Sequence, residues 1–255
     1  TVYSVVLALG GSAGSALAVP LAGSGVDGWK DSLQTWGVIA AVPVVVWAVV
    51  LTRTGHDFPP SPPRGEIGGS LRRSPTAIAL TVMFALQSLN AYTQFGMLPQ
   101  ILTEAGISPA RAGVLVAVIA GWGLVGGLVM PTVIERAPGL PWIVASFGVL
   151  TVIGYLGLLL APTVSPLLWA CVLGIGGFAF PTAIALLPAR TRSPLITARL
   201  SGTVQPIGYL LAALGPILAG ALLGVTGSSA SVLWFLAGTG ALLSVAGFRA
   251  GLPRL

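Results

Sequence analysis

The chain has 255 residues, 55% of them hydrophobic and only 7% charged, where a soluble domain carries about 25% charge. Mean hydropathy is +0.96, and apolar runs of about 20 residues recur, the length a helix needs to cross a bilayer. This excludes an ordinary soluble domain, and the net charge of +6 does not indicate a nucleic-acid partner, because the basic residues sit in loops rather than on one face.

Eight spans are predicted, over about 3–22, 33–51, 76–102, 112–134, 142–161, 167–188, 202–223 and 232–248. Most connections are short, so consecutive helices are expected to run antiparallel. The chain opens at Thr1 almost directly in an apolar run, with no signal peptide. That opening is expected of a portion of a longer protein. Between the second and third spans lies a long connection, residues 52–75, "TRTGHDFPPSPPRGEIGGSLRRSP". Its Pro, Gly and charge suit a flexible or extended linker, which divides the chain into two helices and then six. His56, the single histidine, falls in this linker and is read as a solvated loop residue.

The third span is unusual. Its middle, "LQSLNAYTQF" (86–95), places Gln87, Asn90 and Gln94 three and four residues apart, hence on one helical face. Unpaired polar groups in hydrocarbon cost several kcal/mol each, by rough estimate. Two explanations stand. The amides are glue between helices, or they line a water-accessible cavity near the midplane. Trp122, in the fourth span, is the one tryptophan at mid-depth, with packing as its bland alternative. Cys171 is alone in its segment, which excludes an internal disulfide. The sixth span carries "LGIGGFAFPTA" (173–183), where glycines and Pro181 weaken the helix. A helix broken at midplane, with Phe180 at the break, is where transporters place substrate sites. The seventh span repeats the amide pattern with Ser201, Gln205 and Tyr209. Glycine pairs at Gly10/Gly14, Gly123/Gly127 and Gly220/Gly224 are expected to let backbones approach closely.

Reactive chemistry is not in evidence along the spans. Asp27, Asp31, Asp57, Glu66, Glu104 and Glu135 all lie outside the spans or at their ends, and no metal-ligand spacing or phosphate-binding glycine loop occurs. The expectation is a non-enzyme that needs no cofactor. Ten of the twelve Lys and Arg residues fall on one side: Arg53, Arg64, Arg72, Arg73, Arg136, Arg190, Arg192, Arg199, Arg249 and Arg254. The positive-inside rule then makes the linker and the C-terminus cytoplasmic.

Three stretches resemble a known group. "LQSLNAYTQFGMLPQILTEAGISPARAGVL" (86–115) is similar to the seventh helix and following loop of the cyanate and nitroimidazole porters of the major facilitator superfamily. "LPARTRSPLITARLSGTVQPIGYLLAALGPILAGAL" (187–222) resembles their eleventh helix and the loop before it. "GSAGSALAVPLAGSGVDGWKDSLQTWGVIA" (11–40) resembles their fifth helix and the start of the sixth. The resemblance implies an all-α membrane bundle of the major facilitator type: residues 1–51 as the last two helices of an N-terminal half, 52–75 as the cytoplasmic linker, and 76–255 as the six-helix C-terminal half. It implies four further N-terminal helices of the same protein as partners, a location in the inner (plasma) membrane, and alternating access for a small polar solute or a cyanate-like anion. A proton is the candidate coupling ion. The implied substrate residues are Gln87, Asn90, Gln94, Trp122, Phe180, Gln205 and Tyr209. The superfamily's loop signature survives only as "PTVIER" (131–136). One departure weighs on the substrate: no Lys or Arg lies inside any span to meet an anion. A drug or metabolite exporter on the same fold, and a non-transporting scaffold or receptor, are the rival readings.

Overall fold

The computed structural model describes residues 2–22, 27–54 and 74–252. The linker tip, with His56, Arg64, Arg72 and Arg73, lies outside these residues, as do Arg254 and the chain's first residue. Ten helices are present among the described residues: α1 (Val2–Leu17), α2 (Gly28–Thr54), α3 (Pro75–Glu104), α4 (Pro109–Arg136), α5 (Leu140–Leu160), α6 (Pro166–Gly176), α7 (Ala179–Ala189), α8 (Pro194–Ala212), α9 (Leu214–Thr226) and α10 (Ser229–Gly251). α6 runs into α7 and α8 into α9, so the ten segments form eight columns at the positions of the eight expected spans. Six of the columns are long and apolar enough to cross a membrane. The remaining two are α1, with 16 residues, and α3, whose middle carries the amides. The molecule is a multi-pass membrane-type helical bundle.

Helices dominate because hydrocarbon offers no partner to backbone N–H and C=O groups, which must be satisfied within each segment. Their starts are written locally. Ser-Pro pairs open α3, α4, α6 and α8, with Ser74, Ser108, Ser165 and Ser193 as N-caps and the proline in the first turn, where its missing N–H has no intrahelical role. Ser74 and Ser193 also accept from the backbone N–H of Ala77 and Ile196, at 3.5 and 3.4 Å. Gly227 closes α9 with φ +63°, a backbone state in which only glycine is unstrained.

The sixth span breaks as its sequence predicts. Gly177 donates to Leu173 O at 2.9 Å, and Phe178 turns back to Ile175 O at 3.0 Å before α7 resumes. The seventh span, expected as one helix over 202–223, breaks as well, at Ala213, where Pro216 lacks the N–H that would bond Ala212 O and its ring crowds that carbonyl.

Close backbone approach occurs at glycines other than the Gly10/Gly14 and Gly220/Gly224 pairs. A Cβ would find nothing within 4 Å at Gly10, Gly14, Gly220 or Gly224, so these glycines do not serve as the expected contact points. A Cβ at Gly148 of α5 would instead overlap the Ser244 backbone of α10. A Cβ at Gly208 would lie 2.5 Å from Phe84, and one at Gly215 would lie 2.5 Å from Thr93 Oγ1, so α8 and α9 press against α3. The spacing records only that small residues share a face; which face meets a neighbour is decided by tertiary packing.

α3 lies at the centre of α4, α7, α8, α9 and α10, while α5 packs on α10 and α6. α1 sits against α4. α2 stands apart: nothing in its most apolar stretch is buried, and Trp47 is 70% exposed. The pairings Asn90–Thr239 and Glu104–Ser229 show α3 and α10 antiparallel. At the far end of α3, the Ser229 hydroxyl and then the Gln100 amide hold the Glu104 carboxyl below the usual carboxylate range. At the opposite end gather Arg136, Arg192, Arg199 and Arg249, and Arg190 reaches across from α7 to donate to Gly251 O of α10 at 2.7 Å.

Candidate functional site: an amide-lined cavity between two apolar cores

The buried residues form two apolar clusters separated by a polar layer. Along α3, Leu80, Met83 and Phe84 belong to one cluster, and Leu98, Ile101 and Leu102 to the other. Gln87, Ser88, Asn90, Thr93 and Gln94 lie between them, all buried. The same order recurs on α5, where Thr151 separates Phe147 from Tyr155, and on α10, where Thr239 separates Leu236 from Leu243. The amides therefore mark a layer at mid-bundle.

A cavity of about 500 Å³ opens in that layer, within the range of small-molecule sites. Gln87, Asn90, Gln94, Phe180 and Tyr209 line it, and Gly11 of α1, beside Ala120 of α4, contributes to the wall. Gly174, Gly177 and Pro181, at the α6–α7 break, also face it. Two of the expected residues do not. Trp122 occupies the space left by the missing side chain of Gly174 and packs on Phe178, with ring centroids 6.1 Å apart. Gln205 is half-buried on α8, and its Nε2 donates to Ser201 Oγ at 2.7 Å.

Two of the amides, Asn90 and Gln94, are tethered at one end. Asn90 Nδ2 donates to Leu86 O at 3.0 Å and to Thr239 Oγ1 at 2.9 Å. Gln94 Oε1 accepts from the Tyr155 hydroxyl at 2.8 Å. Gln87 Oε1, Ser88 Oγ, Asn90 Oδ1 and Thr93 Oγ1 are buried with no protein partner among the described residues. Phe84 anchors an aromatic wall, with Tyr209 edge-on at 5.0 Å and Phe180 at 5.6 Å. No Lys, Arg, His, Asp or Glu lines the cavity among the described residues, and no group of three or more His, Cys, Asp or Glu is placed to hold a metal ion among them. Sequence reasoning missed Tyr155 and Thr239. Each is an isolated polar residue in an apolar span, which was the available signal.

No family model matches the chain. Among solved structures, it superposes with a TM-score of 0.62, at 20% identity, on a bacterial homolog to the human lysosomal transporter Spinster in an inward-facing and occupied conformation, over 96% of this chain and 64% of that one. The fold is of the major facilitator type. Curated relatives are transport proteins, not enzymes. An uncharacterized transporter of Bacillus subtilis (strain 168), YycB, is 29% identical over 256 residues, covering 100% of this chain and 63% of that protein. The 2-nitroimidazole transporter of Escherichia coli (strain K12) is 29% identical over 250 residues, covering 98% and 63%. The cyanate transport protein CynX of the same organism is 28% identical over 230 residues, covering 89% and 58%. The chain thus spans less than two thirds of the length of the curated relatives it matches.

Proposed function

We propose that the chain is the C-terminal portion of a secondary transporter, in which two helical halves rock around a midplane site to move a small polar solute. The observation that carries this reading is the amide layer: Gln87, Asn90 and Gln94 meet at a cavity of about 500 Å³ bounded by α1 and the six-column body. Residues 1–51 belong to the N-terminal half, 52–75 form a cytoplasmic linker and 76–255 form the C-terminal half. Four preceding helices of the same protein would cover the bare apolar flank of α2. The linker and C-terminus face the cytoplasm of an inner-membrane protein, which the basic end of the bundle supports. Gln87, Asn90 and Gln94 hydrogen-bond the solute, while Phe180 and Tyr209 shape its berth. Trp122 and Gln205 support the walls from behind. The names of two relatives, for 2-nitroimidazole and for cyanate, support a small polar solute. A coupling proton would be carried elsewhere, because no carboxylate or histidine lines the cavity among the described residues.

The Asn90–Thr239 and Gln94–Tyr155 bonds favour a second reading, in which the amides are structural glue in a non-transporting scaffold. Solute flux in vesicles containing the intact protein separates the two, and its direction separates importer from exporter. Replacing Gln87 with Leu is expected to abolish flux and leave the melting temperature unchanged. Flux in proportion to surviving protein would sink the transport role of the layer.

A further inference from the structure

We propose that Tyr155 is a positioning residue for the transport site: its buried hydroxyl fixes which end of the Gln94 amide the cavity meets, and that end is the Nε2 group. The inference rests on the transporter reading and deepens it at one point of the wall. The oxygen and nitrogen of a side-chain amide are nearly the same size, so packing alone does not choose between its two orientations. Hydrogen bonding must choose. Tyr155 is 0% exposed and belongs to the apolar cluster that holds Leu98, Leu158 and Leu173. Its hydroxyl proton therefore needs an acceptor inside the protein, and the one it reaches is Gln94 Oε1, at 2.8 Å. With the amide turned over, an N–H donor would face the phenol oxygen and the hydroxyl proton would be stranded, which is unfavourable for a buried donor. The amide oxygen is thus held toward α5.

The other end of the amide is then committed as well. Gln94 lines the cavity, and its Nε2 is not among the sealed polar atoms left without a partner. A solute that reaches this point of the wall meets an N–H donor. Tyr155 itself has no surface to offer, so what it contributes passes through Gln94. α5 packs chiefly on α10 and α6, so the bond to α3 is not what seats the helix.

Flux into vesicles containing the intact protein tests this. The probe is labelled 2-nitroimidazole, the compound for which one relative is named, whose nitro oxygens accept hydrogen bonds and cannot donate them. KM, maximal rate and the amount of folded protein are measured on the same preparations. Tyr155→Phe removes the hydroxyl and keeps the ring. It is expected to raise KM about threefold or more, the scale of one hydrogen bond, with the maximal rate per folded protein held within about twofold. A role in packing alone would instead lower the amount of folded protein and leave KM where it was. Gln94→Met, similar in length and without a donor, should raise KM likewise, and adding Tyr155→Phe to it should change KM no further, as expected of two residues acting as one unit. An unchanged KM in Tyr155→Phe, or KM effects that multiply in the double variant, overturns the inference and leaves the transporter reading standing on the flux itself. No saturable flux by the unsubstituted protein overturns both.

Discussion

At the scale of single residues, the three amides are not equivalent, and their partners say how they differ. Gln94 accepts from the fully buried hydroxyl of Tyr155. Removing it strands that hydroxyl, so Gln94→Leu should destabilise the protein by about 1–3 kcal/mol. Asn90→Leu breaks the link to Thr239, whose own proton is already donated, and should cost about 0.6 kcal/mol, the average for polar contacts between membrane helices. Gln87 Oε1 has no partner to lose, so Gln87→Leu should be neutral. Melting temperatures in one detergent check the order Gln94, Asn90, Gln87; equal losses at all three would mean that the layer is uniform glue. Thr93→Val, which removes an unpartnered hydroxyl packed against Gly215, serves as the mild control. The stripe was legible in sequence because three and four residues bring side chains onto one face. Its partners were not, since periodicity within α3 says nothing about the register of α5 or α10 against it. For the same reason mid-depth did not separate Trp122, which fills a neighbour's gap, from residues that line the cavity.

At the scale of helices, the contacts are set by where a side chain is missing. The α5–α10 crossing depends on Gly148, where a Cβ would run into the Ser244 backbone. Backbone cannot move aside as a flexible side chain can, so Gly148→Ala should destabilise by about 1–3 kcal/mol or more through overpacking. Gly238→Ala is the matched control on α10, with nothing within 4 Å of the new atom, and should be neutral or gain up to about 1 kcal/mol from helix propensity. Thermal unfolding of the two variants checks the contrast, and similar melting temperatures would show that the crossing relaxes. The break in the sixth span was readable because glycines and Pro181 stand at it. The break at Ala213 carried a signal too: Gly215 and Pro216 follow it, and Pro216 lacks the N–H that would bond Ala212 O and crowds that carbonyl, while the packing of Gly208 and Gly215 on α3 fixes the column there.

For the molecule as a whole, hydropathy and loop charge were enough to place eight columns and their alternation, because length and K/R asymmetry are properties of the chain itself. The isolation of α2 was not legible. A face bound for lipid and a face bound for another helix are equally apolar, so sequence cannot tell them apart. The orientation can be tested at the linker. A cysteine at Ser61 in a Cys171→Ser background should resist impermeant thiol reagents in intact cells and react once the membrane is opened. Labelling from outside would invert the topology.

The seam between α1 and α4 has a mechanical consequence. Gly113 faces the Ser15 carbonyl, with a Cβ there only 3.0 Å away, and Gly11 and Gly121 face Ala120 and Ser12. Along the part of the seam formed by Gly11, Ser12 and Ser15 of α1, no hydrogen bond or ion pair joins the two helices. That stretch is held by dispersion, which varies smoothly with displacement and contains no discrete bond that must rupture. It behaves as a lubricated bearing: stiff against separation, soft against sliding. Where α1 borders the cavity at Gly11, resistance to sliding is thereby low.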